Sequence, residues 1–371
     1  MNNGKRKICV SFACLVLVLV LVSALSLMLP DREYSENENK YLSSFPSFSL
    51  KNLLNGTFEK KYETYLSDQL PGRDLWISLK SACEAVLLKT ENNGVIYGKD
   101  GYLFQKFNSF DSGTWHANLE AIKTFAEECT APVTVMAVPS SYEVLTDKVP
   151  SSAPFADEET ALEEAEAFLS DSCSFISPLE TLREHSGEYV YYRTDHHWTT
   201  LGAWYACRDL CECLGIECPS YVPDSKYEIA SFYGTSYTKC KRLGQQTDVI
   251  NYIPSDAIIT IGEKQYDSIY DYDKISERDK YAFFLHGNNP ESVITSSVSA
   301  GNGKKLLIIK DSYADCLIPF LTEDYETITC IDPRYYAGSF AELASGDYTD
   351  VIILMGFEDL SGETSITKLG F

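Results

Sequence analysis

Basic residues are scarce in this chain: 31 Lys and Arg stand against 54 Asp and Glu, for a net charge of −23. Three of them, Lys5, Arg6 and Lys7, lie ahead of an apolar run, so the remainder is more acidic still. Such a surface repels nucleic acid and anionic phosphate ligands, and it suits neutral or cationic partners. Histidine is scarcer yet, at His116, His185, His196, His197 and His286. Chemistry that needs an imidazole base must use one of these five. No internal repeat or low-complexity tract is visible. The 12 cysteines contain no paired C-x2-C knuckle. The cluster Cys207, Cys211, Cys213 and Cys218 reads as small apolar residues on an amphipathic helix, and no metal is expected. One or two disulfides suit a location outside the cytoplasm, with connectivity left open.

Tyrosine is abundant, with 25 in 371 residues. Its flat apolar face and polar edge suit glycans, and it also packs well at half-buried positions. Residues Ile8 to Leu29 carry no charge, and about 20 such residues span a bilayer core. The basic residues before them predict an N-terminus inside and the rest outside. A cleaved signal peptide would have a shorter apolar region and a small-x-small site. Here the run is longer and ends in Leu27-Met28-Leu29-Pro30, which favours an uncleaved anchor. The expected organisation is a cytoplasmic tip and transmembrane anchor over 1–30, then a stalk and helical segment over 31–90. An α/β domain follows over 91–371, with a turn-rich insertion near 220–300.

Within that domain, glycines around Lys99-Asp100 between apolar runs predict a β-hairpin. Helices are expected over Asn118–Glu128, Glu158–Leu169 and Leu201–Leu214. The acidic run Asp157 to Glu166 reads as the solvated face of one of them. Strands are expected at Val133–Val138, Tyr189–Tyr192, Lys304–Lys310, Thr327–Ile331 and Asp350–Met355. Helices at Tyr313–Leu321 and Ser339–Ala344 lie between the last three. That alternation predicts a parallel sheet.

Ligands of open parallel sheets sit at the carboxyl ends of the strands. Ser312 follows the strand ending at Lys310, where the amides of the next helix can stabilise an oxyanion. A serine needs a base. Asp195-His196-His197 supplies an imidazole and a carboxylate to orient it, and spacing leaves open which His is the base. The same fragment could ligate a metal, and Asp195 could be only a helix cap. Ser140 and Ser141 are rival nucleophiles of lower rank, since Pro139 precedes them and no helix clearly follows.

At these residues the chain resembles the DHHW proteins of Gram-positive bacteria, which are similar to the SGNH-hydrolase-like domains of alginate O-acetyltransferases. The run Tyr192-Arg193-Thr194-Asp195-His196-His197-Trp198-Thr199 carries the resemblance, with Lys310-Asp311-Ser312-Tyr313-Ala314. Weaker pieces are Glu38-Asn39-Lys40, Ser67-Asp68-Gln69-Leu70-Pro71-Gly72-Arg73-Asp74 and Gly98-Lys99-Asp100-Gly101-Tyr102-Leu103. The resemblance implies an SGNH-hydrolase-like (flavodoxin-like) parallel sheet with helices on both faces. It implies an Asp-x-His pair with a later Ser, which selects Asp195, His197 and Ser312. An arginine near the site is implied, and Arg334 fits by position. Asn288 or Asn289 is a candidate oxyanion donor, and Tyr313 and His196 are further candidates near substrate.

The expected function is acyl-ester chemistry, O-acetyl transfer or ester hydrolysis, on a cell-surface or secreted polysaccharide. No cofactor is called for. A transferase acting outside the cell needs a membrane partner that exports acetyl groups. The alternatives are a non-catalytic glycan-binding or scaffold protein on the same fold, and a metal-dependent hydrolase using the two histidines.

Overall fold

A computed structural model describes residues 3–35, 40–87 and 89–371. It divides the chain into two units, Met1–Lys89 with Lys241–Gly244, and Thr90–Cys240 with Gln245–Phe371. The Glu38-Asn39 piece of the resemblance and Leu88 lie outside the described residues.

The first unit is helical, with helices at Asn3–Met28, Leu50–Leu54, Thr57–Asp68 and Arg73–Val86. The segment after residue 30, expected to be a stalk, is pinned to the end of the Thr57–Asp68 helix. Gln69 accepts from the Arg32 amide at 2.9 Å and donates to the Arg32 and Ser43 carbonyls. Buried Asp68 accepts from the Ser43 amide at 3.0 Å. The expected membrane anchor falls partly on side chains outside the described residues. Among the described residues, no helix is long and apolar enough to cross a membrane.

The second unit is built on an eight-stranded sheet. Its strands are β1 (Val133–Val138), β2 (Ser174–Ile176), β3 (Ile258–Ile261), β4 (Lys264–Tyr266), β5 (Glu291–Thr295), β6 (Lys305–Lys310), β7 (Thr327–Ile331) and β8 (Asp350–Gly356). The order across the sheet is β4-β3-β5-β7-β6-β8-β1-β2. Five strands, β7-β6-β8-β1-β2, are parallel. The other three join antiparallel at the β7 margin. All six residues of β1 are buried, as are the last six of β8. Alternate strand residues point to opposite faces, so continuous burial means both faces are covered.

Three expectations are corrected here. The sheet is mixed rather than parallel throughout, because the stretch read as a turn-rich insertion contributes β3, β4 and β5 to it. The Tyr189–Tyr192 strand is reduced to one isolated bridge, Tyr191 to Trp198. The hairpin is present as three short strands, Glu91–Asn92, Val95–Tyr97 and Leu103–Gln105. The helix expected over Tyr313–Leu321 is two 3-10 turns, Ser312–Cys316 and Ile318–Leu321. Pro319 in the second lacks the N–H that would continue an α-helix.

Strand order fixes where a ligand can sit. From β6 the chain passes to β7 on one side, then returns to β8 on the other. The carboxyl end of β6 is thus a topological switch point, where a crevice opens between diverging connections. Ser312 lies two residues beyond it.

Candidate active site

The Ser312 turn is fixed from below. Asp311 caps it, accepting from the Tyr313 amide at 2.8 Å and from the Gly356 amide of β8 at 2.7 Å. Lys310 and Asp315 form a buried ion pair at 2.5 Å beneath the same turn. A Cβ on Gly356 would come within 2.5 Å of the Tyr313 ring, so glycine permits this close approach. Burial, followed by the neighbouring Asp359 charge, pushes the Asp311 carboxyl up to about 7.

The second part comes from the loop ahead of the Thr200–Leu214 helix. Thr199 caps that helix, its hydroxyl accepting from the Gly202 amide at 3.3 Å. The loop is strapped to Asp248, which accepts from the Arg193 amide and from the Thr194 amide and hydroxyl. Trp198 Nε1 donates to the Tyr313 carbonyl at 2.9 Å, and the Tyr313 hydroxyl donates to the His196 carbonyl at 2.7 Å. These two bonds lock the histidine loop onto the serine turn.

Between them lies a continuous polar chain. Asp195 Oδ1 meets His197 Nδ1 at 2.5 Å, and His197 Nε2 meets Ser312 Oγ at 2.7 Å. His197 and Asp195 are buried and Ser312 is half-buried. Asp195 Oδ2 accepts from the Thr235 amide at 2.7 Å and its hydroxyl at 3.1 Å. Burial opposes ionisation of Asp195, but His196, His197 and these hydrogen bonds hold its carboxyl well below the usual range. Tyr281 stacks on the His197 ring, with centroids 4.1 Å apart, and its hydroxyl reaches the Ser312 carbonyl at 3.2 Å. A carboxylate fixed on Nδ1 directs the imidazole proton there and leaves Nε2 as acceptor.

The other candidates divide. His196 is half-buried beside His197, and its Nδ1 pairs with the Thr235 hydroxyl at 2.8 Å. Burial and the nearby His197 push its imidazole down. Tyr313 is buried with its hydroxyl already engaged, so it acts as a latch rather than a substrate contact. Arg334 is gripped by Asp332 through Nε at 2.9 Å and Nη2 at 2.8 Å, and by Asp359 through Nη1 at 2.8 Å. It makes no described bond to Ser312 or His197. Asn288 is exposed and likewise makes none, while Asn289 turns back on the Leu285, His286 and Gly287 carbonyls. The Tyr313 amide, one of the expected oxyanion donors, is committed to Asp311. The Ser312 amide is engaged by none of the described bonds. Of the rival serines, Ser140 donates its amide to buried Glu158 at 2.8 Å. A short helix, Ser141–Val144, begins at the second of them.

Thr235, Gly234 and Tyr281 were not legible in the sequence. A Cβ on Gly234 would lie 2.2 Å from that of Asp195, so only glycine fits against the carboxylate. A Gly-Thr pair in a turn-rich stretch is too common to single out. The donor atoms of Asp195, His196 and His197 also lie within 4.8 Å of one another, close enough to share a metal ion.

Comparison with known proteins gives a consistent neighbourhood. The model of the DHHW protein family matches residues 90–331. A DHHW family protein from Eubacterium siraeum superposes with TM-score 0.63 at 24% identity, covering 75% of this chain and 95% of that one. Bacillus cereus PatB1 with a sulfonyl adduct gives TM-score 0.58 at 16% identity, covering 73% and 97%. These likenesses establish the fold. A probable alginate O-acetylase, AlgJ, of Pseudomonas syringae is 24% identical over 192 residues, 48% of this chain and 49% of that protein. The chain spans about half the length of the curated relatives it matches.

Proposed function

The chain belongs to the DHHW family, and from that premise we propose that it is an acyl-ester enzyme, an O-acetyltransferase or acetylesterase acting on a polysaccharide through Ser312, His197 and Asp195. The observation that carries this reading is the 2.7 Å contact between His197 Nε2 and Ser312 Oγ, with Asp195 2.5 Å behind the ring. The low-identity relationship to O-acetylases supports the acyl class.

Ser312 Oγ attacks the ester carbonyl as its proton passes to His197 Nε2. Asp195 stabilises the imidazolium, and the Ser312 amide, engaged by none of the described bonds, can donate to the oxyanion. Collapse breaks the bond to the leaving alcohol, which takes the proton from His197. The acetyl group remains on Ser312. A sugar hydroxyl, or water, then loses its proton to His197 and attacks, restoring the serine. Anchoring outside the cytoplasm rests on the uncharged run behind Lys5, Arg6 and Lys7. A transferase there needs a membrane partner that delivers acetyl groups.

A metal-dependent hydrolase is the second reading, favoured by the cluster of Asp195, His196 and His197 donors. It competes poorly, because an ion would have to displace the bonds His197 makes on both ring nitrogens. A fluorophosphonate probe tests the proposal. The full chain should label, chelator should not change the labelling, and Ser312→Ala should abolish it. A silent wild type with glycan affinity would leave a binding protein instead.

A further inference from the structure

A second reactive cluster lies on the Thr200–Leu214 helix. Cys207 and Cys211 are four residues apart, so they share one helical face, and both are buried. The helix ends at Gly215, whose left-handed backbone (φ 67°) lets its amide reach back to the Cys211 and Glu212 carbonyls. The Ile216 amide also donates to the Cys211 carbonyl, at 3.0 Å. This tight reversal brings Cys218, half-buried, against the other two. The three sulfurs lie within 4.8 Å of one another, and Cys207 Sγ is 3.8 Å from Cys211 Sγ. Cys213, between them in sequence, is exposed and outside the trio.

That spacing is chemically specific. Zinc holds thiolates at about 2.3 Å, and in tetrahedral geometry two such sulfurs stand about 3.8 Å apart. Apolar packing requires no convergence of three sulfurs, and a disulfide would use only two. We propose that Cys207, Cys211 and Cys218 form a thiolate site for one divalent ion of the zinc class. Binding breaks three S–H bonds, forms three metal–sulfur bonds and releases three protons, with no redox change. The fourth position is open on the half-buried Cys218 side, where solvent can supply a ligand. Bound metal would clasp the reversal after Gly215 to the helix that carries Thr199 and the histidine loop.

The test uses the reduced full chain and cadmium, whose thiolate complexes absorb in the ultraviolet. Wild type should develop the charge-transfer band and retain about one ion per chain through desalting. Cys213→Ser should behave identically. Cys218→Ser, with its fold checked by circular dichroism, should lose both the band and the retained ion. No band in wild type, or an unchanged band in Cys218→Ser, overturns the site. So does a disulfide linking two cysteines of the trio, found by peptide mapping of the chain before reduction. None of these readouts depends on Ser312 chemistry.

Discussion

Both carboxylate oxygens of Asp195 are occupied, one by His197 and the other by Thr235. Asp195→Asn preserves the shape but presents an amide where the ring needs an acceptor. Labelling of Ser312 should slow by about 10³–10⁴-fold with the fold intact, measured as the rate of fluorophosphonate incorporation. Glu158 sits deeper and outside this chain of bonds. It was expected on a solvated face, but it is fully buried, accepting from the Ser140 amide and the Tyr142 hydroxyl. Burial outweighs those bonds and pushes it up to about 8. An acid so raised keeps its proton in the folded chain after the unfolded chain has lost it. Stability therefore falls as pH climbs from the unfolded carboxyl range, about 4, toward 8. Asp311 and Glu358, each raised to about 7, act in the same direction. Melting temperatures of Glu158→Gln should depend less on pH than those of wild type across that window; equal slopes would contradict the assignment. His197 and Asp195 were visible in sequence because histidine is scarce and two stand together after an aspartate, and Ser312 because it follows an apolar strand at the edge where ligands bind. Thr235 and Tyr281 were not, because their roles depend on contacts with residues distant in the chain, Asp195 for one and His197 and Ser312 for the other, and their types are common.

The Thr200–Leu214 helix was readable almost to the residue from its apolar period, although its cap is Thr199 and not Asp195, the cap candidate in the sequence. One of its constraints was not. Gly202 has an ordinary helical position, yet a Cβ there would lie 2.2 Å from the Val190 carbonyl oxygen. That neighbour is backbone and cannot swing aside. Gly202→Ala should cost more than about 2 kcal/mol, read from urea unfolding, and should loosen the histidine loop that the helix carries. The strands β1, β6, β7 and β8 were legible because burial on both faces leaves short, unbroken apolar runs. Strands β3, β4 and β5 were not. They are three to five residues long, and β5 finds its partner β7 more than 30 residues away, a pairing no local pattern encodes.

For the molecule as a whole, the strongest feature of the sequence is the uncharged run after Lys5, Arg6 and Lys7. Anchoring through it predicts that alkaline carbonate leaves the full chain with the membrane pellet and that detergent releases it. Recovery in the carbonate wash would remove the anchor. The order of the sheet also bears on how such a chain survives where copies are crowded. Its two outermost strands, β4 and β2, have only three residues each. An exposed strand margin is a template on which a stray chain can zip. Here each template runs out after three residues, so the protein can keep a broad apolar interior without becoming a seed for its own aggregation.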